Sequence, residues 1–151
     1  MHSFTHRKLV RSGSTSPGAT KVARLSIDFV IDGMSLMDQL ARADGGHGDF
    51  MGCLVTGFAA ENERKTRQLL GGLAPDTEEG RCLLYICPEC GDIGCGSYGA
   101  KLKVTEHTAE WFDFAYENGY EPGRVLPQIG PFKFSLAEYR MALESARASA
   151  A

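Results

Sequence analysis

Two strand-like segments near the middle of the chain, Lys101–Glu106 and Glu110–Tyr116, are separated only by a very short connection at His107-Thr108. Both segments contain the β-branched and aromatic residues that strands favour. A connection this short can join two strands only as an antiparallel hairpin. The chain is therefore expected to fold around antiparallel pairing.

The side-chain pattern of this hairpin predicts which of its faces is buried. With the turn at residues 107 and 108, Val104 lies opposite Trp111 and Leu102 lies opposite Asp113. The face that carries Trp111 is the more apolar of the two. We therefore expect that face to contact the core.

Hydrophobic periodicity and capping residues predict the other elements. Asp32-Gly33 has turn chemistry, Ser35 and Ser135 are suited to cap helices, and Gly71-Gly72 is suited to end one. The expected strands are Leu25–Ile31, Cys53–Thr56 and a central Cys82–Cys87, and the expected helices run from Ser35 to Ala43, from Glu61 to Gln68 and onward from Ser135. Glu117–Pro131 is predicted to be a long loop because it is rich in Gly and Pro. The fold class predicted is α+β, with a small, mostly antiparallel sheet and packed helices in a single domain over residues 25–151.

Charge is distributed unevenly along the 151 residues. The net charge is -3, but the first 24 residues carry five basic side chains and no acidic one, whereas the rest holds 11 basic and 19 acidic residues. Residues 1–24 are also rich in Gly and Ser, so we expect a disordered basic leader. This segment has no apolar core of the kind found in secretory signals, and we expect a cytoplasmic protein with reduced cysteines.

The acidic body constrains the class of partner. Its negative field repels nucleic acid and attracts a basic protein. No apolar run reaches the length of about 18 residues needed to cross a bilayer, so no membrane partner is expected. The sequence does not specify an oligomeric state.

Three cysteines lie close together in a turn at residues 87–96: Cys87, Cys90 and Cys95. Cys-Pro-x-Cys-Gly after a strand has the form of half a zinc ribbon, and a fourth ligand could come only from Cys53 or His47. Dithiol redox chemistry is a second interpretation, although the glycines that follow disfavour the helix that would activate a thiol. A glycine-rich turn with inert thiols is the third interpretation. The sequence leaves these three alternatives open.

Acidic and aromatic residues concentrate where the hairpin enters the long loop. Asp113, Glu117, Tyr120 and Glu121 combine interface-anchoring aromatic character with negative charge, so we expect them to bind a basic partner. No phosphate loop, metalloprotease helix or nucleophile elbow is present, and the catalytic residues of any enzyme activity therefore stay unknown.

Three stretches of the chain resemble a family of small bacterial proteins without an established activity, some of which are labelled oxidoreductases. The stretches are Leu84–Gly96 (LYICPECGDIGCG), Trp111–Tyr120 (WFDFAYENGY) and Gly130–Phe134 (GPFKF). The resemblance spans about residues 25–143 and implies no particular cofactor or catalytic residue. More loosely, a small acidic chain of this kind is similar to immunity proteins that neutralise toxins.

Two functions follow as expectations. The first is a soluble, non-enzymatic binding or antagonist protein, immunity-like, whose acidic surface meets a basic partner and needs no cofactor. The alternative is a thiol-dependent or Zn²⁺-dependent protein of the oxidoreductase type, centred on Cys87, Cys90 and Cys95.

Overall fold

The computed structural model of the protein describes residues 1–46, 49–89 and 93–151. Its strands are β1 (Phe4–Arg11), β2 (Ser14–Ser16), β3 (Ala19–Lys21), β4 (Arg24–Ile31), β5 (Met34–Ser35), β6 (Met51–Gly52), β7 (Cys82–Ile86), β8 (Ser97–Val104), β9 (Thr108–Glu117), β10 (Arg124–Val125) and β11 (Phe132–Ser135). Its helices are α1 (Leu36–Asp44), α2 (Ala59–Leu69) and α3 (Leu136–Ala150), and a 3-10 turn covers Ile93–Cys95.

The strands pair antiparallel in two larger sheets. One has the order β1-β4-β5, and the other has the order β10-β9-β8-β7-β6 with β11 also paired to β9. Backbone hydrogen bonds connect the sheets, because the amide of Ile27 donates to Leu54 at 3.0 Å and the amide of His2 donates to Lys133 at 2.8 Å. Helix α3 packs on β1, β4, β9 and β11. The expected α+β fold with a mostly antiparallel sheet is confirmed.

The first strand corrects the expectation of a disordered leader over residues 1–24. β1 pairs with β4 along its whole length, from Phe4 opposite Ile31 to Arg11 opposite Arg24. Phe4 is only 2% exposed. β1 is therefore part of the folded domain, which is not confined to residues 25–151, while β2 and β3 form a small hairpin whose strands pair only with each other.

An aromatic cluster occupies the centre of the core. The ring of Phe4 lies 4.8 Å from that of Phe134 and 5.2 Å from that of Trp111, and Phe29 also lies 5.2 Å from Trp111. The indole of Trp111 donates a hydrogen bond to the hydroxyl of Tyr139 at 3.0 Å, and that hydroxyl donates to a carbonyl at the end of α2. Strands from both sheets and two helices therefore meet at these rings.

The β8–β9 hairpin forms as expected, but with a register shifted by two residues. Leu102, rather than Val104, lies opposite Trp111. The turn is set by Thr105 and Thr108, since the amide of Thr105 donates to the carbonyl of Thr108 at 2.8 Å and the two hydroxyls lie 2.7 Å apart. A shift of two residues preserves side-chain parity, so the prediction that the Trp111 face is buried is confirmed.

A β-bulge interrupts β9 at Asp113. Gly99 pairs with Ala115 and Lys101 with Phe112, so β9 holds one residue more than β8 across this interval. Asp113 has φ of 52°, in the left-handed region, which the extra residue of a bulge can require. The predicted pairing of Leu102 with Asp113 is wrong because of the two-residue register shift, since Leu102 pairs with Trp111 on the turn side of the bulge.

The helix caps and the helix end predicted from the sequence are confirmed. Ser35 accepts a hydrogen bond from the amide of Asp38, and Ser135 accepts one from the amide of Glu138. Gly71 follows the end of α2 with φ of 88°, a conformation that favours glycine. None of the described helices is long and apolar enough to cross a bilayer.

The remaining strand predictions are confirmed in part. β7 lies between β6 and β8, as expected for a central strand. The strand expected at Cys53–Thr56 is displaced, because β6 covers Met51–Gly52 and only Val55 forms an isolated bridge, to Ser26. The predicted loop Glu117–Pro131 also contains β10, which pairs with β9.

A buried carboxylate connects β1, β4, β7 and α1. Asp28 is fully buried and accepts hydrogen bonds from the hydroxyls of Ser35 and Tyr85, both at 2.5 Å, and from Nε of Arg7 at 3.0 Å. The amide of Met37 adds a longer bond of 3.3 Å. Burial, together with the charge of Asp28, raises the pKa of Tyr85 well above its usual value, so the phenol remains a donor.

Candidate functional site

A cleft of about 480 Å³ lies between the loop that precedes β7 and the loop that follows β9. We call it the acidic cleft. It is lined by Asp76, Thr77, Glu78, Glu79, Ile93, Glu117, Gly119, Tyr120, Glu121 and Pro122. Half of these residues are acidic, and none of those described is basic.

The first wall is a loop closed by its own hydrogen bonds. The carbonyl of Arg81 accepts from the amides of Asp76 at 2.9 Å and Thr77 at 3.1 Å, while the hydroxyl of Thr77 accepts from the amide of Arg81 at 3.0 Å. The intervening residues, including Glu78 and Glu79, are held at the cleft by this closure.

The second wall is the connection between β9 and β10. The side-chain oxygen of Asn118 accepts from the amides of Tyr120 at 3.0 Å and Glu121 at 3.3 Å, which is the local turn that Asn favours. Gly119 has φ of 79°, which glycine adopts without a steric penalty. This turn presents Tyr120 and Glu121 at the cleft.

Glu79 and Arg81 connect the two walls. Glu79 accepts from the amide of Gly123 at 2.6 Å and from Nη1 of Arg81 at 2.9 Å. The buried Arg81 also donates through Nε to the carbonyl of Asp113 at 2.7 Å, and its Nη2 lies 3.0 Å from the Asp113 carboxylate. Hydrogen bonding from Lys101 and Arg81 lowers the pKa of Asp113 below its usual value, so the bulge residue is a fixed anion behind the cleft.

Glu117 is the acidic residue with the most unusual surroundings. It is 5% exposed, and its Oε1 lies 3.8 Å from Nη1 of Arg81. Its Oε2 is buried and has no hydrogen-bond partner among the described residues. Burial raises the pKa of Glu117, against the opposing effect of Thr77 and Arg81. A buried polar atom without a partner is uncommon in native proteins, so this oxygen calls for an explanation.

The structure brings together three of the four residues predicted to bind a partner. Glu117, Tyr120 and Glu121 line the acidic cleft. Asp113 is absent from the lining, because the bulge directs its carboxylate to Arg81 and Lys101. Whether these residues bind a partner stays a prediction.

The charge of the cleft is only partly neutralised from within the fold. Asp76 is paired with Lys65, whose Nζ lies 2.7 Å from its carboxylate. Glu78 and Glu121 form no ion pair with any residue in the described part of the chain, and the ion pair that Glu117 forms there is its 3.8 Å contact with Arg81. The unpaired charge favours a cation at this site.

The pKa of Glu117 predicts a stability change at the cleft. Because the folded state raises this pKa, the carboxyl contributes stability below its unfolded pKa and loses it as the pH rises through the folded pKa. Glu117→Gln removes the ionised form, so we expect its free energy of unfolding at neutral pH to exceed that of the wild type. The difference should shrink on acidification to about pH 4, as urea denaturation across pH can show.

Glu79→Gln is the matched variant, for which we expect the opposite change in the free energy of unfolding. Hydrogen bonds from the amide of Gly123 and from Arg81 lower the pKa of Glu79, so this carboxylate contributes stability that is present above its unfolded pKa. We expect Glu79→Gln to be destabilised at neutral pH and to approach the wild type in acid. A shift of both variants in the same direction would contradict this account of the cleft.

A second cleft, of about 430 Å³, lies beside α2 and β7 and differs in its charge pairing. Nζ of Lys65 donates to the Asp76 carboxylate and to the carbonyl of Leu83, and Nε of Arg24 donates to the carbonyl of Pro88 at 2.9 Å. Cys53 lines this cleft, and burial raises the pKa of its thiol to about 11. These groups are satisfied by the fold and do not indicate a ligand.

The cysteine turn is described only in part. Cys87 is half-buried and Cys95 is exposed, whereas Cys90 and His47 lie outside the described residues. Burial raises the pKa of Cys82 to about 11. Among the described residues, no three His, Cys, Asp or Glu side chains are placed to hold a metal ion. Zinc binding by Cys87, Cys90 and Cys95 stays a prediction.

Sequence reasoning missed the first wall of the acidic cleft. Asp76, Glu78 and Glu79 lie between the helix end predicted at Gly71-Gly72 and the strand predicted at Cys82–Cys87, and Arg81 follows them as a buried cation. The available signal was the density of acids in this short loop, directly before an apolar strand. Comparison of the chain with family models, with curated proteins and with solved structures found no significant match.

Proposed function

We propose that the protein is a non-enzymatic binding protein that takes a basic segment of a partner protein into the acidic cleft. The observation that carries this proposal is Glu117, whose Oε2 is buried at the cleft without a partner among the described residues. A donor from a partner would satisfy this atom, and a cation would stabilise its charged form.

The form of the site supports a peptide-like ligand. The cleft has two walls held by their own hydrogen bonds, so a ligand meets a preorganised surface and loses less free energy to ordering. The body beyond residue 24 carries eight more acidic than basic residues, which attracts a basic partner over distance. Occupying a basic surface of the partner would block that surface, which is how a binding protein acts as an antagonist.

A short basic peptide tests the proposal directly. We expect a capped peptide of Lys and Arg alternating with Gly to bind the wild type in calorimetry. Its affinity should fall severalfold or more between about 20 and about 200 mM salt, because salt screens the exposed carboxylates. Amide shifts at Gly119 and Glu121 in NMR spectra should report the same site.

Two glutamine variants test whether the peptide binds at the acidic cleft. Glu117→Gln should weaken peptide binding by about tenfold or more, since a hydrogen bond to a charged group contributes about 1.5 to 3 kcal/mol. Glu106→Gln is the control, because Glu106 is exposed at the opposite end of the β8–β9 hairpin. Its affinity should stay within about twofold of the wild type, as for an exposed charge. Equal affinities of the two variants, or no binding at low salt, would overturn the proposal.

A further inference from the structure

We propose that the acidic cleft selects an arginine side chain over a lysine side chain, with the guanidinium lying against the ring of Tyr120. This inference rests on the proposed function, since it names the group that the same cleft accepts. It is carried by the juxtaposition of an exposed aromatic ring and a buried carboxylate oxygen that lacks a partner among the described residues.

Tyr120 is unusually exposed for a tyrosine with a defined position. It is 83% exposed, although its backbone amide is held by the Asn118 side chain at 3.0 Å. Its hydroxyl end lies close to Gly94, because a methyl group built on that glycine would come within 2.9 Å of the hydroxyl oxygen. The ring therefore lies at the mouth of the cleft, between the second wall and the 3-10 turn that carries Ile93.

A neighbouring tyrosine, Tyr116, forms a cation–aromatic contact in this protein. Arg124 lies over the ring of Tyr116 with its guanidinium carbon 4.7 Å from the centroid. No cation from the described part of the chain lies over Tyr120. A guanidinium from outside can make the same contact there.

Three carboxylates that lack a close ion-pair partner in the described chain line the same cleft as this ring. Glu117 offers Oε2 on the inside, and Glu121, beside Tyr120 in the same turn, offers a carboxylate that no cation in the described chain neutralises. Glu78 adds a third negative charge from the opposite wall. A ligand that satisfies these groups must donate in several directions while one of its faces lies on the ring.

Arginine meets both conditions, and lysine meets only one. The guanidinium is planar, carries five N–H donors in a fixed plane and stacks on aromatic rings. It is also more weakly hydrated than an ammonium group, so removing its hydration costs less when it approaches the buried Glu117. The ammonium of lysine can form an ion pair with Glu117 but gains less from the ring.

Matched peptides test this selectivity in the full-length protein. We expect a capped Gly-Arg-Gly-Arg-Gly peptide to bind the wild type about fivefold more tightly than the same peptide with lysine, the ratio expected for a cation–aromatic contact at an exposed site. Tyr120→Leu should lower the arginine affinity to that of lysine and leave the lysine affinity within about twofold. Tyr120→Phe keeps the ring and should keep the preference.

A control variant, and the difference between losing the arginine preference and losing all peptide binding, separate this inference from the proposed function. Phe58→Leu removes another partly exposed ring, which lines the second cleft, and should not alter the preference. If both peptides bind equally, or if Tyr120→Leu weakens both by the same factor, arginine selection is wrong while the basic-segment function stands. If neither peptide binds at low salt, both proposals are wrong.

Discussion

Deletion of residues 1–11 is expected to leave the protein unfolded in dilute buffer. β1 provides one strand of the β1-β4-β5 sheet and inserts Phe4 among the rings of the central cluster. Loss of a buried Phe side chain alone costs about 3 to 5 kcal/mol, and the deletion also removes the hydrogen bonds to β4. Domains of this size are stable by only about 5 to 15 kcal/mol. Far-UV circular dichroism and urea denaturation would measure the loss.

A loop-replacement variant provides the matched control. Arg11 lies opposite Arg24, so residues 12–23 can be replaced by Asn-Gly, which joins two antiparallel strands in a tight turn. This variant removes the β2–β3 hairpin and keeps β1. We expect it to fold with a stability close to that of the wild type, within about 1 kcal/mol, since the hairpin pairs with no other strand. A folded deletion of residues 1–11 would show that β1 is dispensable.

Asp28→Ala is expected to lower the free energy of unfolding by about 2 to 6 kcal/mol, because each of two buried hydroxyls left without its acceptor costs about 1 to 3 kcal/mol. The substitution leaves the hydroxyls of Ser35 and Tyr85 without their acceptor, and Arg7 without its buried partner. Urea denaturation at neutral pH gives the value.

Asp38→Ala serves as the control for Asp28, because the exposed Asp38 also faces Arg7, at 3.6 Å. An exposed ion pair contributes about 0 to 1 kcal/mol, so this variant should be nearly as stable as the wild type. Similar losses in the two variants would show that the Asp28 network does not hold the strands together.

Short-range chemistry made the helices and the main hairpin predictable. Ser35 and Ser135 cap helices through bonds that reach three residues along the chain, and Gly71 ends α2 through its own φ. The parity of the β8–β9 hairpin follows from alternation alone. Its register depended on Thr105 and Thr108, whose paired hydroxyls place the turn one residue closer to the N-terminus than predicted.

β1 was missed because only Phe4 of its eight residues is buried, so the strand lacks the apolar alternation that marks a half-buried strand. Arg7, in the middle of the strand, was interpreted as part of the charge of a disordered leader. In the fold Arg7 meets Asp28, 21 residues away. Neither residue indicates the other in the sequence.

The acidic cleft was predictable from one side only. Glu117, Tyr120 and Glu121 are close in sequence and were recognised together. Glu79 reaches them across 44 residues through its bond to Gly123, and this proximity depends on the pairing of β7, β8 and β9. Asp113 was assigned to the same surface because no local signal predicted the bulge that directs it to Arg81.

The bulge at Asp113 divides β9 into two stretches of opposite phase. Before it, Trp111 faces the aromatic rings, and beyond it Phe114 continues on that side, 5.6 Å from Phe132. Glu117 then falls on the other side of the sheet, with Arg81. Strict alternation along β9 from Trp111, without the bulge, would place Tyr116 and not Glu117 on the side of Arg81 and the cleft. The acidity of the site thus depends on where β9 accommodates one extra residue as much as on the identity of its side chains.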